Sequence, residues 1–142
     1  MSELACQATG VALGGRGVLI QGAPGTGKTS LALALIDRGG ELLGDDGVML
    51  ETGGQALLAR PHPHTRGLIE VRNLGILAVP VRAEAPVALV IRLDESAPRF
   101  IEEPERIRIH GHDLPLVRLW PGGAVLHLKA EMALANYGLF QP

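Results

Sequence analysis

Gly22-Ala23-Pro24-Gly25-Thr26-Gly27-Lys28-Thr29 is the stretch on which the fold turns. It reads G-x-x-x-x-G-K-T, the spacing of a phosphate-binding loop. Gly17-Val18-Leu19-Ile20 before it is a short β-prone run. After it, from Lys28 to Arg38, Leu31, Leu35 and Ile36 recur at helical spacing until Gly39 and Gly40 stop the helix. Strand, glycine loop and helix therefore follow in the order such a loop requires. Glycines at 22, 25 and 27 let successive N–H groups turn towards one phosphate, and the helix N-terminus adds its partial positive charge. Ala23, Pro24 and Thr26 fill the rest of the loop, chiefly as backbone. Lys28 is expected at the β- and γ-phosphates of a nucleotide, and the Thr29 hydroxyl on a magnesium ion that bridges them.

The chain has 142 residues, 46% of them hydrophobic, which suits one domain with a sizeable core, residues 1–142. Its formal net charge is −2 and its basic residues are scattered, so no footprint for nucleic acid or an anionic membrane is expected. A single cysteine, Cys6, leaves no internal disulfide framework and favours a reducing, cytoplasmic setting. No apolar stretch is long enough to span a bilayer, and no basic segment leads into one.

Periodicity predicts strands at 17–21, 41–44, 47–51, 55–60, 68–72, 75–81, 87–93, 106–110 and 114–119, one helix after the glycine loop and another near 125–137. Leu128, Met132, Ala135 and Leu139 repeat at helical steps and are expected to form the buried stripe of the last helix. Regular alternation of strand and helix, usual in P-loop kinases, is absent. The expected fold class is α/β: a P-loop domain that is strand-rich with few helices. His110-Gly111 falls between two strand signals and reads as a hairpin tip. The pairs His62/His64 and His110/His112 lack the further ligands that a transition metal requires.

Phosphoryl transfer also needs carboxylates, one to hold magnesium and one to accept a proton from a hydroxyl acceptor. Leu42-Leu43-Gly44-Asp45-Asp46-Gly47 places two acids after a short apolar strand, with glycines on both sides that permit close approach. The alternative there is an Asp-Gly hairpin turn. Asp94, after the apolar run from Val87, is the weaker choice because Arg92 interrupts that run. In Glu70-Val71-Arg72-Asn73-Leu74-Gly75, strand alternation would set Glu70 and Arg72 on one face, as a metal-and-phosphate pair or as an exposed salt bridge.

These three stations, in this order, resemble the catalytic domain of the bacterial HPr kinase/phosphorylase family: Gly22 to Thr29, then Asp45-Asp46, then Glu70 to Ile76 against an E-I-R-G-L-G-like segment. Leu114-Pro115-Leu116, Pro121-Gly122 and Glu131 to Tyr137 are similar to that family's closing strand, proline-glycine loop and final helix. The resemblance implies the HPr kinase/PEP carboxykinase-like type of P-loop fold and a serine kinase using ATP and Mg2+. Its protein partner would be HPr, a small phosphocarrier, and the same site would remove the phosphate with inorganic phosphate, releasing pyrophosphate. It further implies Lys28 on the phosphates, Thr29 and Glu70 on magnesium, the Asp45-Asp46 pair as proton acceptor, Arg72 at the phosphate site and Arg99 in a catalytic-arginine loop. A homo-oligomer, a hexamer, is also implied.

The chain departs from that pattern at named places. Asn73 replaces a glycine, Gln7 stands where members often carry a histidine, and the segment around Val79 to Ala85 is short. Pro121-Gly122-Gly123 lacks an arginine, and a truncated form of the family, without the longer members' N-terminal domain, is expected. Two other classes compete with this reading: a small-molecule P-loop kinase, which would need an arginine-bearing helical lid, and an ATP-sensing interaction module without catalysis.

Overall fold

A computed structural model describes residues 3–140. In chain order its elements are β1 (Glu3–Cys6), β2 (Thr9–Leu13), β3 (Arg16–Gly22), α1 (Lys28–Asp37), β4 (Glu41–Gly44), β5 (Val48–Glu51), β6 (Leu58–Pro61), β7 (Leu68–Val71), β8 (Gly75–Ala78), β9 (Ala85–Leu93), β10 (Glu105–Ile109), β11 (His112–Leu119) and α2 (Leu126–Tyr137). The strands predicted from periodicity all appear, some trimmed or shifted at their ends. β1 and β2 are additional: the glycine and alanine content of Thr9-Gly10-Val11-Ala12 hides a strand whose first four residues are fully buried.

The chain folds into three layers. One sheet runs in the order β11-β9-β3-β2-β4, with β10 on the outer side of β11. In its centre β3, β9 and β11 are parallel, so Gly22, Leu93 and Leu119 end side by side on one edge. A second sheet, β1-β5-β6, joins through the first residues of β9, where Leu58 and Ala59 pair with Pro86 and Ala85. Both helices cover the far face of the first sheet.

Two apolar clusters fill the gaps. Val18, Ile20, Leu89 and Ile91 meet Leu31, Leu35, Ala130 and Leu134 of the helices, whereas Leu19, Val90 and Leu116 meet Val48, Leu50 and Ala59 of the second sheet. Along β3 the residues alternate between these clusters, as a strand buried on both faces must. In β9 the alternation slips at Ala88: the register steps from Gly17–Val87 to Val18–Leu89, so Ala88 is an extra bulged residue.

The predicted stripe of the last helix is overturned. Leu126, Ala130, Ala133 and Leu134 are buried, whereas Met132 is 63% exposed and Ala135 and Leu139 are also exposed. Both sets have helical spacing. The alanine-rich face lies inward because small side chains let α2 come close to β11, β9 and α1. Among the described residues, no helix is long and apolar enough to cross a membrane.

Candidate active site

The glycine loop joins β3 to α1 at the edge where the parallel strands end. Gly25 and Gly27 have φ of 83° and 96°, left-handed values that a side chain would strain. Gly27 is the N-cap of α1, and no side chain caps the helix, which leaves its first N–H groups directed at the loop. The Thr26 hydroxyl donates to the Ala23 carbonyl at 2.7 Å and stiffens the loop. Lys28 Nζ donates to the Gly22 carbonyl at 2.9 Å and, at 3.5 Å, to that of Ala23, so the ammonium already lies over the loop.

The three stations converge. The Thr29 hydroxyl donates to Asp45 Oδ1 at 2.8 Å, and Asp45 Oδ2 accepts the Glu70 backbone N–H at 3.0 Å. One carboxylate thereby ties the first turn of α1, the end of β4 and the strand β7. Asp46 follows at φ 57°, a left-handed conformation aspartate tolerates, and its N–H donates to Oγ1 of the fully buried Thr9 at 3.1 Å. Thr9 was not foreseen as a site residue: its strand was not predicted, and a threonine near the N-terminus carries no motif.

The hairpin alternative for Asp45-Asp46 fails, because β4 pairs with β2 while β5 pairs with β1 and β6. The two acids sit where the chain crosses from one sheet to the other. The expected common face of Glu70 and Arg72 is also overturned. β7 ends at Val71, and Arg72 with Asn73, at φ 75°, forms the tip of the β7–β8 hairpin, closed by the Leu74 N–H on the Val71 carbonyl at 3.0 Å. The asparagine accepts the left-handed turn that would otherwise ask for glycine.

Asp94, at the end of β9, accepts Arg118 at 2.9 Å and the Ser96 N–H at 2.8 Å. The Ser96 N–H first, then Arg118, hold its carboxyl below the usual carboxylate range. It is thus bound up in a structural pair. Arg92 does not reach the loop either: it donates to Gln21 Oε1 at 3.1 and 3.3 Å across the β3–β9 pair. Arg99 lines an open cleft of about 650 Å³ with Pro98, Phe100, Ile101, Glu105 and Arg118, and no residue of the glycine loop borders it.

The donor set suits magnesium. The Thr29 hydroxyl is an oxygen donor at the loop, and Glu70, whose backbone N–H meets Asp45, carries a carboxylate on the neighbouring strand, while among the described residues no group of three or more His, Cys, Asp or Glu forms an all-protein cage. Magnesium prefers this arrangement, one or two carboxylates with phosphates and water completing the shell. A hydroxyl that donates to Asp45 keeps its lone pairs for a cation.

Residues 2–117 match the HPr Serine kinase C-terminal domain family. The chain belongs to this family. A protein of Mycoplasma mycoides subsp. mycoides SC named HPr kinase/phosphorylase is 35% identical over 100 residues, 66% of this chain and 32% of its own length. One of that name from Chloroherpeton thalassium is 34% identical over 138 residues, 87% of this chain and 40% of the relative. The chain thus spans between about a third and somewhat under half of the length of these curated relatives. Among solved structures, the Hpr(Ser) kinase/phosphatase from Coxiella burnetii superimposes with a TM-score of 0.84 at 28% identity, covering 94% of this chain and 89% of that one. The strand-rich α/β architecture expected from the resemblance is the family's fold.

Proposed function

We propose that this chain is the catalytic part of a cytoplasmic protein kinase that transfers the γ-phosphoryl group of ATP to a serine of HPr and works as a homo-oligomer. The observation that carries the reading is the link Thr29–Asp45–Glu70, which gathers the three motif stations around the phosphate loop. Loop N–H groups and Lys28 hold and orient the phosphates, and Thr29 and Glu70 supply the magnesium ligands. The ion, when bound, neutralises charge on the phosphates. Arg72, on its hairpin tip, is assigned to the transferred phosphate, and Arg99, on a cleft that the glycine loop does not border, to the protein acceptor alone.

Of the two acids, Asp45 is the one held at the loop, 2.8 Å from the Thr29 hydroxyl, and we assign it the serine proton. Asp46 then sets the turn that presents it. In the reverse direction, inorganic phosphate oxygen attacks phosphoserine, the P–O(serine) bond breaks and pyrophosphate leaves. The protonated Asp45 returns its proton to the serine oxygen. A small-molecule kinase would need an arginine-bearing helical lid, and the two helices among the described residues both lie against the sheet.

The test is to incubate the purified chain with ATP, magnesium and the HPr of the same genome and to weigh HPr intact. One added phosphate on serine is expected, removed again when inorganic phosphate is supplied. Asp45→Asn should lower turnover by roughly 10²- to 10⁴-fold while ATP still binds. Unmodified HPr beside tight ATP binding would leave a nucleotide-sensing module as the reading.

A further inference from the structure

We infer that Trp120 and the Pro121–Val125 loop behind it form the subsite for the nucleotide's base. The inference rests on the nucleotide reading of the glycine loop and adds where the nucleoside lies. β3, β9 and β11 are parallel and in register at their ends, Gly22 beside Leu93 and Leu93 beside Leu119, and the Asp94 N–H donates to the Leu119 carbonyl at 2.9 Å. Trp120 therefore leaves the same edge as the phosphate loop, two strands away, about 10 Å at the usual strand spacing. Ligands of parallel sheets bind outside this carboxyl edge. A ribose and its phosphates can bridge such an interval.

The indole is built as a platform. Its Nε1–H donates to the Ala97 carbonyl at 2.6 Å, and Lys129 Nζ lies 5.9 Å from the ring centroid, so two contacts from different elements fix the ring plane. Even so, Trp120 is 49% exposed, more than a structural tryptophan needs to be. Gly122 and Gly123 follow with φ of 78° and 96°, and a Cβ at either would meet open space. Their N–H groups make no backbone hydrogen bond to a described residue, which leaves donors beside the ring for the polar edge of a stacked base. The loop leads into α2, which packs on α1, so the platform lies on the same side of the sheet as the helix that begins at the phosphate loop.

Trp120 is the one tryptophan of the chain, so its emission reports on this subsite alone. The experiment compares ADP with pyrophosphate, which fills the phosphate loop without a nucleoside, by tryptophan fluorescence and by calorimetry. Quenching by ADP but not by pyrophosphate is expected. Trp120→Leu should weaken ADP about tenfold or more and leave pyrophosphate unchanged, and Trp120→Phe, which keeps a ring, should restore most of the affinity. ADP binding with unchanged emission, or equal losses for ADP and pyrophosphate in Trp120→Leu, overturns the subsite. Binding of neither ligand to the unaltered chain overturns the nucleotide reading itself and the subsite with it.

Discussion

Asp45 and Asp94 both follow strands of the main sheet, yet their surroundings differ. Asp45 faces the phosphate loop through Thr29, while Asp94 is held by the Ser96 N–H and Arg118. Arg118 also donates to Glu105 at 2.7 Å, so it joins β9, β10 and β11. Because the folded Asp94 carboxyl titrates below its unfolded value, its contribution to stability is full above the ordinary carboxylate pKa and is lost as pH falls through the lowered one. Asp94→Asn should therefore lower the urea midpoint at neutral pH, and the gap to the parent should close on acidification. A gap that stays constant down to strongly acid pH would show that the carboxylate charge is not the source. Two acids between glycines stand out in the sequence over Asp94, and in the structure it is Asp45 that meets Thr29 while Asp94 meets Ser96 and Arg118. Which of the two faces the loop was not legible, because that depends on the turn at Asp46.

Among the elements, the crossing from β4 to β5 places Asp45 and Asp46, the acids we assign to proton transfer, and its geometry depends on close backbone approach at Gly44. A Cβ there would collide with the Gly47 carbonyl and lie 2.7 Å from Val48 Cγ1. Overpacking of this kind costs about 1–3 kcal/mol. Gly44→Ala should thus lower the melting temperature and, by displacing Asp45, reduce turnover beyond what the stability loss explains. A variant that melts lower with turnover intact would show that the acids are placed by something other than this turn. The β4–β5 segment reads as a hairpin in sequence because hairpins join neighbouring antiparallel strands through such glycines. Partner choice is long-range: β4 finds β2, and β5 finds β1 and β6.

At the scale of the whole molecule, α1 and α2 close one side of a sheet already filled on the other by β1, β5 and β6. Leu134 is buried in this layer and Met132 is exposed. Leu134→Ala is expected to cost about 2–5 kcal/mol, and Met132→Ala to stay within about 0.5 kcal/mol, as read by denaturant unfolding. The reverse order would restore the stripe expected from periodicity.

By itself the sequence determined the phosphate loop with the strand and helix that flank it, the paired acids, and both helices. Each rests on local chemistry: glycine torsions, helical spacing, neighbouring charges. Tertiary structure decided the strands at the N-terminus, the inward face of α2, the fate of Asp94 and the meeting of Thr29, Asp45 and Glu70. Those outcomes join residues far apart in the chain, where several partners are locally equivalent and burial and hydrogen-bond satisfaction in the assembled layers select one.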